Sequence, residues 1–205
     1  MKRYSQNDEQ DWIAAYFGPY VGTFLDAGAN DGRTLSNTHA LALKGWSGAC
    51  VEPSPTAFPK LRELYADRKD IECHNVGLCE GNGPAILHES GEHLGKGDTS
   101  LLSTVKPSEL RRWEGSGVPF NNVEMECVTF LELLRRSEFA QFDFISIDIE
   151  GLDYEVLSQI DLTHIGCRML IVEFNGIDEH RYVQYCREYG MHLWKKNAEN
   201  LAFIR

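Results

Sequence analysis

The stretch Phe24-Leu25-Asp26-Ala27-Gly28-Ala29-Asn30-Asp31-Gly32, FLDAGANDG, decides how the rest of the chain is read. A short apolar run gives way to a glycine loop, the pattern with which a buried strand of an α/β sheet hands over to a helix. In open sheets of this kind, ligands sit beyond the carboxyl ends of the strands. The glycines here are spaced G-x-x-x-G, not G-x-G-x-x-G, and Asp26 and Asp31 add negative charge. Two like charges about 4 Å apart repel by roughly 1 kcal/mol in water, and by several-fold more near a protein surface. A polyphosphate is therefore a poor guest for this loop.

A ligand carrying an amine and a sulfonium suits it better, because carboxylates and backbone carbonyls hold cations and glycines allow close approach. Glu52 follows at the end of the next apolar run, where a carboxylate can accept both hydroxyls of a ribose. Adenosine without phosphate, joined through sulfur to an amino acid, describes S-adenosylmethionine. The plainer readings are that Asp26 or Asp31 only shapes a turn, and that Glu52 serves a nicotinamide cofactor equally well. A nicotinamide-dependent oxidoreductase and a non-catalytic donor-binding module thus stand as alternatives.

Outward from this loop, short apolar runs alternate with helix-like segments, which predicts a largely parallel sheet. Strands are expected at 23–27, 49–51, 71–76, 123–128, 143–147 and 169–174. Helices are expected at 8–17, 34–44, 55–66, 129–136, after Gly151, and at 178–189. The end of the chain, MHLWKKNAENLAFIR, places two apolar runs around a polar turn, a hairpin signal requiring an antiparallel strand. The region 81–117 is the least regular and too long for an ordinary connection, so it reads as short elements and a functional lid. One domain, 1–205, is expected, with about 80–122 as the variable acceptor-side part.

The 205 residues carry a formal charge of −11, with 42% hydrophobic and 25% charged side chains. An acidic chain with no basic run lacks the cationic footprint of a sequence-independent nucleic-acid binder. Six scattered cysteines without a C-x-x-C pair read as buried reduced thiols, and no apolar run reaches membrane length. Cytoplasmic residence without a membrane partner is the expectation.

The sequence also resembles the FkbM-type methyltransferases. The resemblance rests on YSQNDEQDWIAAYF, FLDAGANDG, the Ser36-Asn37-Thr38 triplet and GWSGACVEPSPTAF, and then on VTFLELL, FDFISIDIEG and MLIVEFNG. It covers most of the chain outside about 80–122. It implies a class I methyltransferase (Rossmann-like) fold: a seven-stranded, mostly parallel sheet closed by a C-terminal antiparallel hairpin, with helices on both faces. It implies S-adenosylmethionine as donor and a hydroxyl acceptor on a small molecule or glycan. By position, Asp26, Gly28, Asn30 and Gly32 would line the methionine part, while Ser36, Asn37 and Thr38 would fix that loop or touch the donor. Glu52 would hold the ribose, Asn75 would approach the adenine, and Gln6 would close over the donor.

Methyl transfer to an alcohol needs alignment, exclusion of water and removal of a proton. Asp148 and Glu150 end the DFISI run and lie two apart, so both can face the acceptor. Asp148 is the expected base or acceptor-orienting residue with Glu150 in support, although Glu150 could equally cap the following helix. Glu173, a charge after four apolar residues, is a third candidate. With Asn175, these carboxylates permit a divalent cation without requiring one. His74, His88 and His93 stand near possible chemistry. Trp113 and Phe120 suit an apolar pocket or the core, and Arg111-Arg112 reads as a solvated helix face.

Overall fold

The computed structural model describes residues 2–95 and 97–205. Its main sheet has seven strands in the order β3-β2-β1-β7-β8-β10-β9. They are β1 (Thr23–Ala27), β2 (Ser47–Val51), β3 (Ile71–His74), β7 (Phe144–Ile147), β8 (Met169–Glu173), β9 (His192–Lys196) and β10 (Asn200–Ile204). The pairs β1–β2, β2–β3, β1–β7 and β7–β8 are parallel. Only β10 runs against its neighbours, β8 and β9. The expected terminal hairpin is therefore present, with its second strand inserted between β8 and its first. Strand order reverses between β1 and β7, which places a crevice at their carboxyl ends.

The central strands are largely apolar because both faces are covered, with Asp26, Ser146 and Glu173 falling towards their carboxyl ends. Phe24, Cys50, Phe144, Met169 and Ile171 pack on one side with Ile13, Leu41 and Leu61 from α1 (Glu9–Phe17), α2 (His39–Leu43) and α3 (Phe58–Leu64). Leu25, Val51, Ile145, Ile147, Leu170 and Val172 pack on the other with α4 (Phe130–Arg136), α5 (Asp153–Leu157) and α6 (Glu179–Glu188). The alternation follows from the two-residue period of a strand.

Two helices start later than the periodicity predicts. Leu35 sits at φ 55°, outside helical space, and Ser36 Oγ accepts from the N–H groups of Thr38 and His39, so α2 begins at His39 and not near 34. Ser54 Oγ does the same for Thr56 and Ala57, delaying α3 to Phe58. Pro59 then falls in the first turn of α3, where its missing N–H costs nothing. Thr129 caps α4 by accepting from Glu132 N at 3.2 Å, as a T-x-x-E box should.

The region read as an irregular lid is partly a second sheet, in the order β4-β6-β5. Here β5 (Gly83–Ser90) runs antiparallel to β6 (Phe120–Val128), with Gly83 opposite Cys127 and Ser90 opposite Phe120, while β4 is Gly77–Leu78. Among the described residues the irregular part shrinks to 91–95 and 97–119, which include a 3-10 turn, Glu109–Trp113. Cys79 and Cys127 form a disulfide, so the expectation of six reduced thiols is corrected; sequence spacing hid the pair because 48 residues separate them. The bond also removes reduced-thiol usage as support for a cytoplasmic location. No helix among the described residues is long and apolar enough to cross a membrane.

Candidate active site

A cavity of about 310 Å³ opens at the carboxyl ends of β1, β2, β7 and β8 and is roofed by the 91–119 segment. Its floor is the FLDAGANDG turn. Gly28 has φ +87°, and a Cβ there would lie 1.7 Å from the carbonyl oxygen of Asp148. Only glycine lets the β1 loop pass so close to the β7 loop. Gly32, at φ +75°, is turned away from the cavity; a Cβ there would strike Leu61 at 2.7 Å. Its expected place on the donor is therefore corrected to packing against α3.

The carboxylates of the turn divide their work. Asp26 lines the cavity, accepts from Thr38 Oγ1 at 2.5 Å, and is pushed from 3.8 to about 6 by burial, which outweighs the Thr38 bond. Asp31 does not line it: its oxygens accept from Arg33 N, Thr34 N and Thr34 Oγ1, making it the turn's internal clamp. Ser36 and Asn37 line the cavity, and Thr38 lies behind it. Asn37 Nδ2 donates to Ser146 Oγ at 3.1 Å, and Thr38 holds Asp26 from behind without lining the cavity.

Glu52 is buried on the cavity wall, where Oε2 accepts from Asn30 N at 2.8 Å and Oε1 from Ser54 N at 2.7 Å. Burial raises its carboxyl from 4.5 to about 7 despite these two N–H groups, with Asp26 and Glu89 adding to the rise. Asn30, at φ 48°, also donates through Nδ2 to Thr99 O, tying the turn to the roof. Asn75 does not line the cavity; Nδ2 donates to the carbonyls of Glu52 and Pro53 and so fixes their course. The wall expected from Asn75 is supplied by Pro53, Gly77 and Leu78. Gln6 lines the cavity from the N-terminal side.

At the other end, the parallel pairing of β7 with β8 brings Asp148, Glu150 and Glu173 together, with one oxygen from each within 4.8 Å of the others. Burial, then Asp153 and Asp26, push Asp148 from 3.8 to about 7, and burial with mutual repulsion drives Glu150 and Glu173 well above the carboxylate range. Glu150 does not cap α5, which has no side-chain cap. It stands at φ 53°, in a turn held by Asp153, whose carboxylate accepts from Ile149 N and Gly151 N. Thr104 Oγ1 donates to Glu150 O at 2.6 Å, fastening the roof to this turn. Asp153 and Thr104 escaped sequence reading, since their partners are backbone atoms.

The roof contributes Arg112, Trp113 and His93, with His93 edge-on to Trp113 at 5.1 Å. Arg112 is thus a cavity residue whose charge acts on Glu150, and the reading of Arg111-Arg112 as a solvated face is corrected for Arg112. Phe120 lies outside the cavity lining, His88 bonds Asn122, and His74 pairs with Glu72.

This sheet order, with its inserted antiparallel strand and a crevice beyond β1, defines the class I methyltransferase fold. Residues 26–193 match the methyltransferase FkbM domain, and the chain belongs to that family. The nicotinamide oxidoreductase alternative falls with that match. Among solved structures, the chain is similar to a methyltransferase FkbM from Methylobacillus flagellatus KT, at 13% identity and TM-score 0.56. That alignment covers 90% of this chain but 44% of the other, so the chain spans less than half of that relative. It is also similar to magnesium protoporphyrin IX methyltransferase from Synechocystis PCC 6803 with bound S-adenosylmethionine, at 12% identity, TM-score 0.52, and 96% and 76% coverage. A human methyltransferase 10 domain containing protein aligns at 10% identity, TM-score 0.50, and 96% and 79% coverage. No curated protein matches the chain in sequence.

Proposed function

We propose that the chain is an S-adenosylmethionine-dependent O-methyltransferase acting on a hydroxyl of a small molecule or glycan. One observation carries the reading: a single cavity holds two separate acidic stations, Asp26 and Glu52 beyond β1 and β2, and the Asp148–Glu150–Glu173 group beyond β7 and β8. The first suits a donor with a cationic amine and a phosphate-free ribose; the second suits a neutral acceptor that must lose a proton.

The residues present fit the donor chemically. Asp26 and the Gly28–Asn30 backbone offer acceptors to an amine. Glu52 offers a carboxylate to two hydroxyls, and Pro53 and Leu78 offer apolar surface to a flat base. When bound, the donor supplies a methyl group already activated by its positive sulfur. Asp148 would orient the acceptor hydroxyl and hold the proton that it gives up. Glu150 and Glu173, both pushed up by burial, line the same pocket beside it. The roof, with Trp113 and His93, excludes water and shapes the acceptor end.

The test is calorimetry with S-adenosylmethionine and its demethylated product, followed by turnover on a panel of hydroxylated sugars and small molecules. Glu52→Ala is expected to weaken donor binding by tenfold or more, whereas Asp148→Ala lowers turnover with donor affinity kept. Absence of donor binding defeats the reading, and equal loss of donor affinity in both variants defeats the role of Asp148. Donor binding without transfer to any acceptor would favour the non-catalytic module.

A further inference from the structure

We propose that Asp148, Glu150 and Glu173 hold a hard divalent cation of the magnesium or manganese type at the acceptor end of the cavity. The three carboxylates come from two adjacent strand ends and present one oxygen each within 4.8 Å of the others. Ligand oxygens around such a cation, each about 2.1 Å from it, stand roughly 3 to 4.2 Å apart. Small side-chain rotations close the difference.

The second observation is independent of the clustering. Glu173 is only 7% exposed and lines the cavity, and its Oε2 is buried with no hydrogen-bond partner among the described residues. A buried carboxylate oxygen left without a donor is costly. Basic side chains of the roof do not supply one: Arg112 pairs with Glu109 and Lys106 with Glu155. A cation between the three groups would satisfy Oε2 and cancel the repulsion among them.

The donor set selects the ion. All ligands are carboxylate oxygens, with no histidine or cysteine in the group, which favours magnesium, manganese or calcium over zinc or copper. Three protein oxygens leave about three octahedral positions for water, for Asn175 at the cavity edge, and for an acceptor oxygen. Such an ion would lower the basicity of Asp148 and the pKa of a bound acceptor hydroxyl together, leaving Asp148 its orienting part. The catalytic consequence rests on the proposed methyl transfer; occupancy by the ion does not.

The experiment is a titration of the tag-free 205-residue chain with Mn²⁺, followed by the electron paramagnetic resonance signal of the free ion, with Mg²⁺ as competitor. One saturable Mn²⁺ per chain is expected, displaced by Mg²⁺. Affinity should fall at least tenfold in Glu173→Gln and Asp148→Asn, and stay unchanged in Glu124→Gln, a surface control on β6. Circular dichroism identifies any variant that fails to fold, and Asp148→Asn and Glu173→Gln serve as each other's substitute. No saturable Mn²⁺ binding overturns the proposal, as does equal affinity in wild type and in a folded Glu173→Gln protein. Donor calorimetry on the same samples separates the two readings: failure to bind donor counts against methyl transfer and leaves the ion result standing.

Discussion

Glu52 is ionised only against its surroundings, since burial lifts it to about 7 and Asp26, lifted to about 6, stands on the same wall. Both carboxyls hold their proton more tightly in the folded chain than in the unfolded one. The stability this gives is complete below their ordinary values near 4 and is lost as pH rises through about 6 to 7. His39, pushed down by burial, acts in the opposite sense, one group against these two and the raised carboxyls Asp148, Glu150, Asp153 and Glu173. The donor-free protein should therefore melt at a lower temperature at pH 8 than at pH 5.5, measured by calorimetry at constant ionic strength. Donor binding should run the other way, strengthening over the same interval because ionised Glu52 and Asp26 accept hydrogen bonds from the donor, and this trend should weaken in Glu52→Gln. Gly28→Ala tests the floor: with Asp148 O only 1.7 Å from the new Cβ, it should cost at least about 2 kcal/mol in chemical denaturation.

The turn from β7 into α5 depends on bonds that no periodicity announces. Asp153 folds back on Ile149 and Gly151, and Thr104 reaches across from the roof to the carbonyl of Glu150. Thr104→Val keeps the shape and removes that donor, leaving a buried carbonyl short of a partner. It should lower stability by about 1 kcal/mol and reduce turnover more than donor affinity, read from denaturation and steady-state kinetics. The strands of the main sheet were legible because strands buried on both faces are largely apolar. The starts of α2 and α3 were not, because Ser36 and Ser54 satisfy the N–H groups before each helix and hold the chain in turns. A serine that caps a helix and one that delays it look alike in sequence.

Around the main sheet, the β5–β6 ribbon carries the roof, and the Cys79–Cys127 bond fastens its base. Closing a loop with a separation of 48 residues lowers the entropy of the unfolded chain by an amount worth about 4 kcal/mol. The Cys79→Ala/Cys127→Ala protein should lose stability of that order in denaturant titration under non-reducing conditions. Arg112→Ala, which removes a roof side chain and its charge from beside Glu150, should raise the acceptor KM with donor affinity unchanged, as calorimetry and kinetics can separate. The sequence by itself determined the sheet's strands, the acidic glycine turn, the station of Glu52 and the terminal hairpin, because each is a local pattern forced by burial or turn chemistry. Tertiary structure alone decided that Asp26 faces the cavity while Asp31 clamps its own turn, and that Arg112 belongs to the roof. It also joined two cysteines far apart in the chain and set Glu173 beside Asp148. Those outcomes depend on strand order, on crossovers and on which backbone atoms a side chain can reach, and none of these is written in residue spacing.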